Sequence, residues 1–202
     1  MNQVKNFFGK VPESIEDFIL ASQIVQAESD KFMVEFYRQQ KWRTGGIILW
    51  NMVDSWPQVR SNAVVDYYAE KKLAFHYLKR VHVPLCVILK EPHEGKLEVA
   101  IANDSLTPGI GSLHIVNVDT KAAWDFQYAV DSNGLSVAGF IPEPKENTLF
   151  TISWSDSLKN CSGVNHYLFG KPSFDFEKYR RDWLPAIAGL DSSFDAAKAG
   201  KS

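Results

Sequence analysis

The sequence predicts an α/β segment of helix, strand and helix, followed by an all-β sandwich of immunoglobulin type. Three observations predict it. First, an unbroken apolar run, Ile47-Ile48-Leu49, lies between Gly45-Gly46 and the stretch Trp50-Asn51-Met52-Val53-Asp54-Ser55-Trp56-Pro57. With no polar alternate, the run reads as a short strand buried on both faces, as in parallel sheets covered by helices. Second, residues before and after it repeat with helical period. Third, from about residue 83 the period changes to two, and short alternating segments follow one another between turn signals.

The chain has 202 residues, 45% of them apolar and 23% charged. That is the composition of an ordinary globular chain. The formal charge of −2 gives no ground for nucleic acid or an anionic membrane as partner. No apolar run approaches the roughly 20 residues that span a bilayer. The opening MNQVKNFFGK lacks the apolar stretch of a signal peptide, so the chain itself indicates no compartment. Cys86 and Cys161 fall in expected strands and read as buried free thiols. The five histidines, His76, His82, His93, His114 and His166, share no metal-ligand spacing, so neither a metal nor another cofactor is expected.

Taken in order, residues 1–13 read as a connector. Ser14-Ile15-Glu16-Asp17 has the spacing of an N-terminal capping box, and a long helix is expected from about Ile15 to Gln39. Its apolar face is drawn by Phe18, Ala21, Val25, Phe32 and Phe36. Glu28 falls on that stripe and needs a partner there, for which Arg43 or Arg60 are candidates. The strand at Gly46–Leu49 follows, then a polar loop from Gln58 to Ala63. A second helix is expected from near Asp66 to Arg80, with Lys79 and Arg80 suiting its negative end. Pro84 blocks continuation and sets a boundary near residue 82.

Strands are then expected over 83–89, 96–102, 113–118, 123–130, 135–140, 148–154 and 164–169. Among their separators are Pro108-Gly109 and Asp131-Ser132-Asn133-Gly134. Short strands at this spacing argue an antiparallel sandwich. Residues 174–184 read as a closing helix, and 191–202 as a frayed tail. The row Trp124/Phe126/Tyr128 lies in one alternation class, which is the pattern of a core face and also of a flat sugar-binding face.

A single strand cannot make a parallel sheet, and particular residues supply the context. Ala21-Ser22-Gln23, Gln26-Ala27-Glu28, Gly46 to Asn51, Asp54 to Gln58, Val65-Asp66-Tyr67-Tyr68 and Lys71-Lys72-Leu73-Ala74 together resemble the C-terminal part of glycoside hydrolase family two. The β-mannosidase-like and β-galactosidase/β-glucuronidase-like members are most similar. Asn165 to Gly170 and Lys171-Pro172 resemble the last sandwich strand of those proteins. The resemblance runs from about residue 5 to 185.

It implies that residues 1–81 are the end of a (β/α)8 barrel (seventh helix, eighth strand and eighth helix), that 82–190 are an immunoglobulin-like β-sandwich, and that 191–202 are a flexible tail. It also implies a retaining mechanism, with two carboxyl groups about 5–5.5 Å apart. Both would come from barrel strands absent here, so no catalytic residue is assigned and the chain alone is expected to be inactive. Its implied contribution is a wall of the sugar site. Trp50 is the platform beneath the sugar, followed by a cis peptide to Asn51, while Asn51 and Asp54 bond hydroxyls and Trp56 shapes the rim. Loop architecture is the other reading of Asp54 and Trp56.

The implied partners are a β-glycoside and the missing N-terminal part of the protein. Without that part, self-association of the isolated chain is expected. Two other classes fit the same residues. One is a non-catalytic carbohydrate-binding sandwich, which needs Trp124, Phe126 and Tyr128 exposed as a plane. The other is a structural subunit completing a partner chain, which needs a large exposed apolar surface around Ile47–Leu49 and the long helix.

Overall fold

The computed structural model describes residues 2–58, 61–159 and 161–199. They form two compact units. The helical unit contains the residues up to Val34, Gly46–Lys79 and the residues from Lys171 on; the other unit contains Glu35–Gly45 and Arg80–Gly170.

In the helical unit the expected connector holds a helix, α1 (Asn2–Phe8). Its aromatic pair makes it worth forming: Phe7 lies 4.8 Å from Phe174, and Phe8 lies 5.2 Å from Phe176 and 6.4 Å from Tyr179, centroid to centroid. Gly9 ends it at φ 76, its N–H donating to the Lys5 carbonyl over 2.8 Å. A Cβ on Gly9 would lie 2.6 Å from Ser173 Oγ, so only glycine fits the turn.

Helix α2 (Ile15–Arg38) begins as its cap predicts, the Ser14 hydroxyl accepting from the Asp17 N–H at 3.1 Å. Its buried face is rotated from the expected one. Leu20, Ile24, Ala27, Lys31 and Val34 are buried, with Ala21 and Val25 beside them, while Phe32 and Phe36 are 46% and 45% exposed. The helix has two apolar faces, and the one that packs within this chain carries the small side chains that admit close neighbours. Glu28 is buried and accepts from the Tyr179 hydroxyl over 2.5 Å; that hydroxyl lies 2.9 Å from the Tyr77 hydroxyl. This phenol is a partner the sequence did not suggest. Arg60, one of the two expected, lies outside the described residues.

Helix α3 (Leu73–Val81) starts later than expected. Asp66 takes the backbone for a turn: its carboxylate accepts from the N–H groups of Tyr68 at 2.9 Å and Glu70 at 2.8 Å. The helix begins where Gln23 Oε1 accepts from the Leu73 N–H at 3.1 Å. The closing helix is a run of three pieces: α4 (Phe176–Lys178), a π-helical turn (Tyr179–Trp183) and α5 (Leu184–Ala188). This run groups with the helical unit rather than with the sandwich. Within the tail the Phe194 ring lies 5.3 Å from His76 and 6.3 Å from Tyr77.

In the second unit every expected strand forms. β1 (Leu85–Leu89), β2 (Lys96–Asn103) and β5 (Leu135–Pro142) make a sheet in the order β1-β2-β5. β3 (Gly109–Asn117), β4 (Ala123–Val130), β6 (Thr148–Asp156) and β7 (Cys161–Phe169) make another, in the order β4-β3-β6-β7. All pairings are antiparallel. The inward alternates, among them Leu97, Val99, Ile101, Leu113, Ile115, Phe150, Ile152 and Trp154, are buried and build a β-sandwich core.

Arg38, in the last turn of α2, fixes the entry to β1. Its guanidinium donates to the carbonyls of Val81 at 2.5 Å, Val83 at 2.8 Å and Pro84 at 3.0 Å. Both cysteines are free, but only Cys86 is buried. Cys161 is exposed, because it opens β7, a strand at the edge of its sheet.

Candidate functional site

The stretch singled out in the sequence behaves unlike the rest. No strand forms over Ile47–Leu49, and the run is not buried: Ile48 is 94% exposed. A strand buried on both faces needs hydrogen-bonded neighbours on either edge. Here the nearest sheet pairing in this stretch is a one-residue parallel bridge, Val53 to Val65.

Beyond the run, Trp50 is 84% exposed, Met52 61% and Trp56 63%. The Trp50–Asn51 peptide is cis, as the resemblance implied. Asn51 is half-buried and its side-chain amide donates to the Val53 carbonyl at 3.1 Å, a bond within its own turn. Tyr67 and Tyr68, which follow Asp66 in its turn, are exposed as well, their rings 5.3 Å apart. They entered the sequence reading as part of the resemblance and of an expected helix, without a site role.

Asp54 differs from these neighbours. It is buried, and its carboxylate is engaged on both oxygens. Oδ1 accepts from the Ser61 hydroxyl and from Gln58 Nε2 at 3.2 Å, and Oδ2 faces Lys72 Nζ at 3.3 Å. The backbone repeats the connection: the Asp54 N–H donates to the Val65 carbonyl at 3.2 Å and the Val65 N–H to the Met52 carbonyl at 3.0 Å. The partners Gln58, Ser61 and Lys72 escape a sequence reading because no helical or strand period links them to Asp54.

The other candidates fall away from chemistry. Trp124 packs 6.1 Å from Phe150, the Tyr128 hydroxyl donates to the Ser155 carbonyl at 3.1 Å, and a Cβ on Gly139 would lie 2.4 Å from the Phe126 ring. The row therefore faces neighbouring strands and makes no exposed plane. Burial and the adjacent Asp156 push the Tyr128 phenol up to about 12. Burial beside Glu28 raises Tyr179 well above the usual tyrosine range. Among the described residues no group of three or more His, Cys, Asp or Glu is placed to hold a metal ion, and no helix is long and apolar enough to cross a membrane.

Comparison with known proteins gives the class first: the chain is homologous to glycoside hydrolases. No protein-family model matches it. Among individual relatives, β-mannosidase B of Emericella nidulans is 37% identical over 197 residues, which takes in 89% of this chain and 22% of that protein. β-Mannosidase B of Aspergillus terreus is 32% identical over 124 residues, 52% of this chain and 14% of that protein. The chain thus spans about a fifth or less of the curated relatives it matches.

Among solved structures, a β-D-mannosidase from Dictyoglomus thermophilum superposes with a TM-score of 0.70 at 25% identity, over 83% of this chain and 21% of that one. An exo-chitosanase from Amycolatopsis orientalis, solved with PNP-β-D-glucosamine, shares the fold with a TM-score of 0.68 at 16% identity, over 92% of this chain and 24% of that one.

Proposed function

We propose that the chain is the C-terminal region of a retaining β-glycoside hydrolase of family two. Residues 1–81 are the end of its (β/α)8 barrel, the strands within 82–190 its immunoglobulin-like sandwich, with the closing helical run after Gly170 grouped with the barrel end, and 191–202 its tail. The observation that carries the reading is the 37% identity to a β-mannosidase over 197 residues, amounting to 22% of that protein. The unpaired Ile47–Leu49 run, with Ile48 in solvent, supports it, since a barrel strand without its neighbours has nothing to bond against.

The division of labour follows. The double displacement requires an acid/base and a nucleophile on opposite sides of the scissile bond, and both lie on strands outside this chain. Trp50 offers the sugar an indole face. Asn51, Asp54 and Trp56 border that face. The substrate class is a β-glycoside, with a β-mannoside the first choice.

The test is replacement. This chain is grafted in place of the matching segment of the Emericella nidulans β-mannosidase B, and hydrolysis of nitrophenyl β-mannoside, β-glucoside and β-galactoside is measured. The graft is expected to hydrolyse the mannoside and Trp50→Ala to abolish most of that activity, while the chain alone turns over nothing. Turnover by the chain alone, lost in Trp50→Ala, would overturn the reading.

The exposed apolar side chains also favour a second form of the same idea, in which the missing part is a separate polypeptide. Recovery of activity on mixing separately purified parts would support that form.

A further inference from the structure

We infer that Asp54 and Lys72 are a positioning pair that holds the segment from Trp50 to Trp56 in place for the sugar without touching it. This rests on the reading of that segment as the sugar platform. Trp50, Met52 and Trp56 stand in solvent, and no strand on either side fixes them. What fixes their backbone is the one-residue bridge between Val53 and Val65 and, beside it, the buried Asp54 carboxylate. Asp54 Oδ1 receives the Ser61 hydroxyl and Gln58 Nε2 at 3.2 Å, and Oδ2 receives Lys72 Nζ at 3.3 Å.

The anchor on the other side is itself rigid. Ala63 and Val64 are buried. The Ala63 N–H donates to the Ser61 hydroxyl at 2.9 Å, and the Lys72 N–H donates to the Val64 carbonyl at 3.0 Å, one residue before α3. Gln26 on α2 adds a bond from its amide to the Asn62 carbonyl at 2.8 Å. A carboxylate with both oxygens already accepting, and almost no exposed surface, is poorly placed to take a sugar hydroxyl. It is well placed to transmit the rigidity of α2 and α3 to the turn that carries Trp50.

The experiment reads the free protein first. In the 15N-labelled chain, Asp54→Asn and Lys72→Met are each expected to shift the indole N–H resonances of Trp50 and Trp56, while those of Trp124, Trp154 and Trp183 stay in place. Lys72→Arg is expected to return them toward the parent positions. Unmoved Trp50 and Trp56 signals in both variants would overturn the inference. If Asp54→Asn does not fold, Lys72→Met and Ser61→Ala carry the same test.

In the grafted enzyme, Asp54→Asn is expected to lower kcat/KM for the mannoside, glucoside and galactoside by a common factor, about ten- to a hundred-fold, the size of effect a displaced positioning group produces. A loss confined to one sugar would mark direct contact with a particular hydroxyl and overturn the inference. Failure of Trp50→Ala to reduce turnover would instead sink the platform reading, leaving the resonance result to stand on its own.

Discussion

The core strands of the sandwich and the stretch from Ile47 to Trp56 in the helical unit dispose of their apolar side chains in opposite ways. In the sandwich, Val87, Leu97, Ile101, Ile115, Phe150 and Ile141 are wholly buried, each strand finding its partners within the unit. In the helical unit Ile48, Trp50 and Trp56 stand in solvent, although the run Ile47-Ile48-Leu49 is apolar throughout. The difference is one of available neighbours rather than of composition. A strand is stable when both rows of backbone polar groups are paired and its side chains meet other side chains. The sandwich supplies these to itself, whereas the chain gives Ile47–Leu49 no strand to pair with and leaves Ile48 in solvent.

The largest expected effect tests the self-sufficient half. Phe150 is fully buried on β6, which pairs with β3 on one side and β7 on the other. Phe150→Ala is expected to cost about 3–5 kcal/mol, measured as a fall in the midpoint of urea unfolding with the slope unchanged. A loss under about 1 kcal/mol would mean that the sandwich core is looser than its burial indicates, and the contrast between the two halves would weaken.

That contrast also governs what could be read from the sequence. Every sandwich strand was legible because alternation and turn residues are local signals, and the partners of each strand lie in the same chain. The cap at Ser14 and the long helix were legible for the same reason. The face of α2 was legible only in part: Ala21 and Val25 are buried as expected, but Phe32 and Phe36, which look like core residues, are exposed, and Ala27 packs in their place. The start of α3 was misplaced because Asp66 spends its carboxylate on a turn. At the candidate site, Trp50, Asn51, Asp54 and Trp56 stood out through resemblance, but the role of Asp54 depends on Lys72, Ser61 and Gln58, which no period connects to it.

An intermediate effect sharpens the comparison through pH. The Tyr128 phenol in the sandwich is raised to about 12, first by burial and then by Asp156. The folded state favours the neutral phenol, so its contribution to stability is complete below the ordinary tyrosine value near 10 and is lost as pH rises through about 12. Stability of the parent is expected to fall with pH across that window. Tyr128→Phe is expected to flatten this part of the profile while lowering stability at neutral pH, since the Ser155 carbonyl loses its donor. Chemical denaturation at pH 9, 10, 11 and 12 reads the slope. A slope unchanged by Tyr128→Phe would assign the alkaline loss to other phenols, Tyr179 in the helical unit being the first, since it too is raised.

The smallest expected effect is the most informative about the exposed half. Trp50 is 84% exposed, and substitution of an exposed side chain away from any cap or network alters stability by no more than about 0.5 kcal/mol. Trp50→Ala is therefore expected to leave the unfolding midpoint of this chain where it is. In the grafted enzyme the same substitution is expected to remove most turnover. A residue that contributes nothing to its own fold, yet matters once the chain sits in the grafted glycosidase, is accounted for by a surface that operates only in that larger setting. If Trp50→Ala instead destabilises the isolated chain by more than about 1 kcal/mol, the indole is a structural part of the helical unit, and the case for an unpartnered platform fails at its central residue.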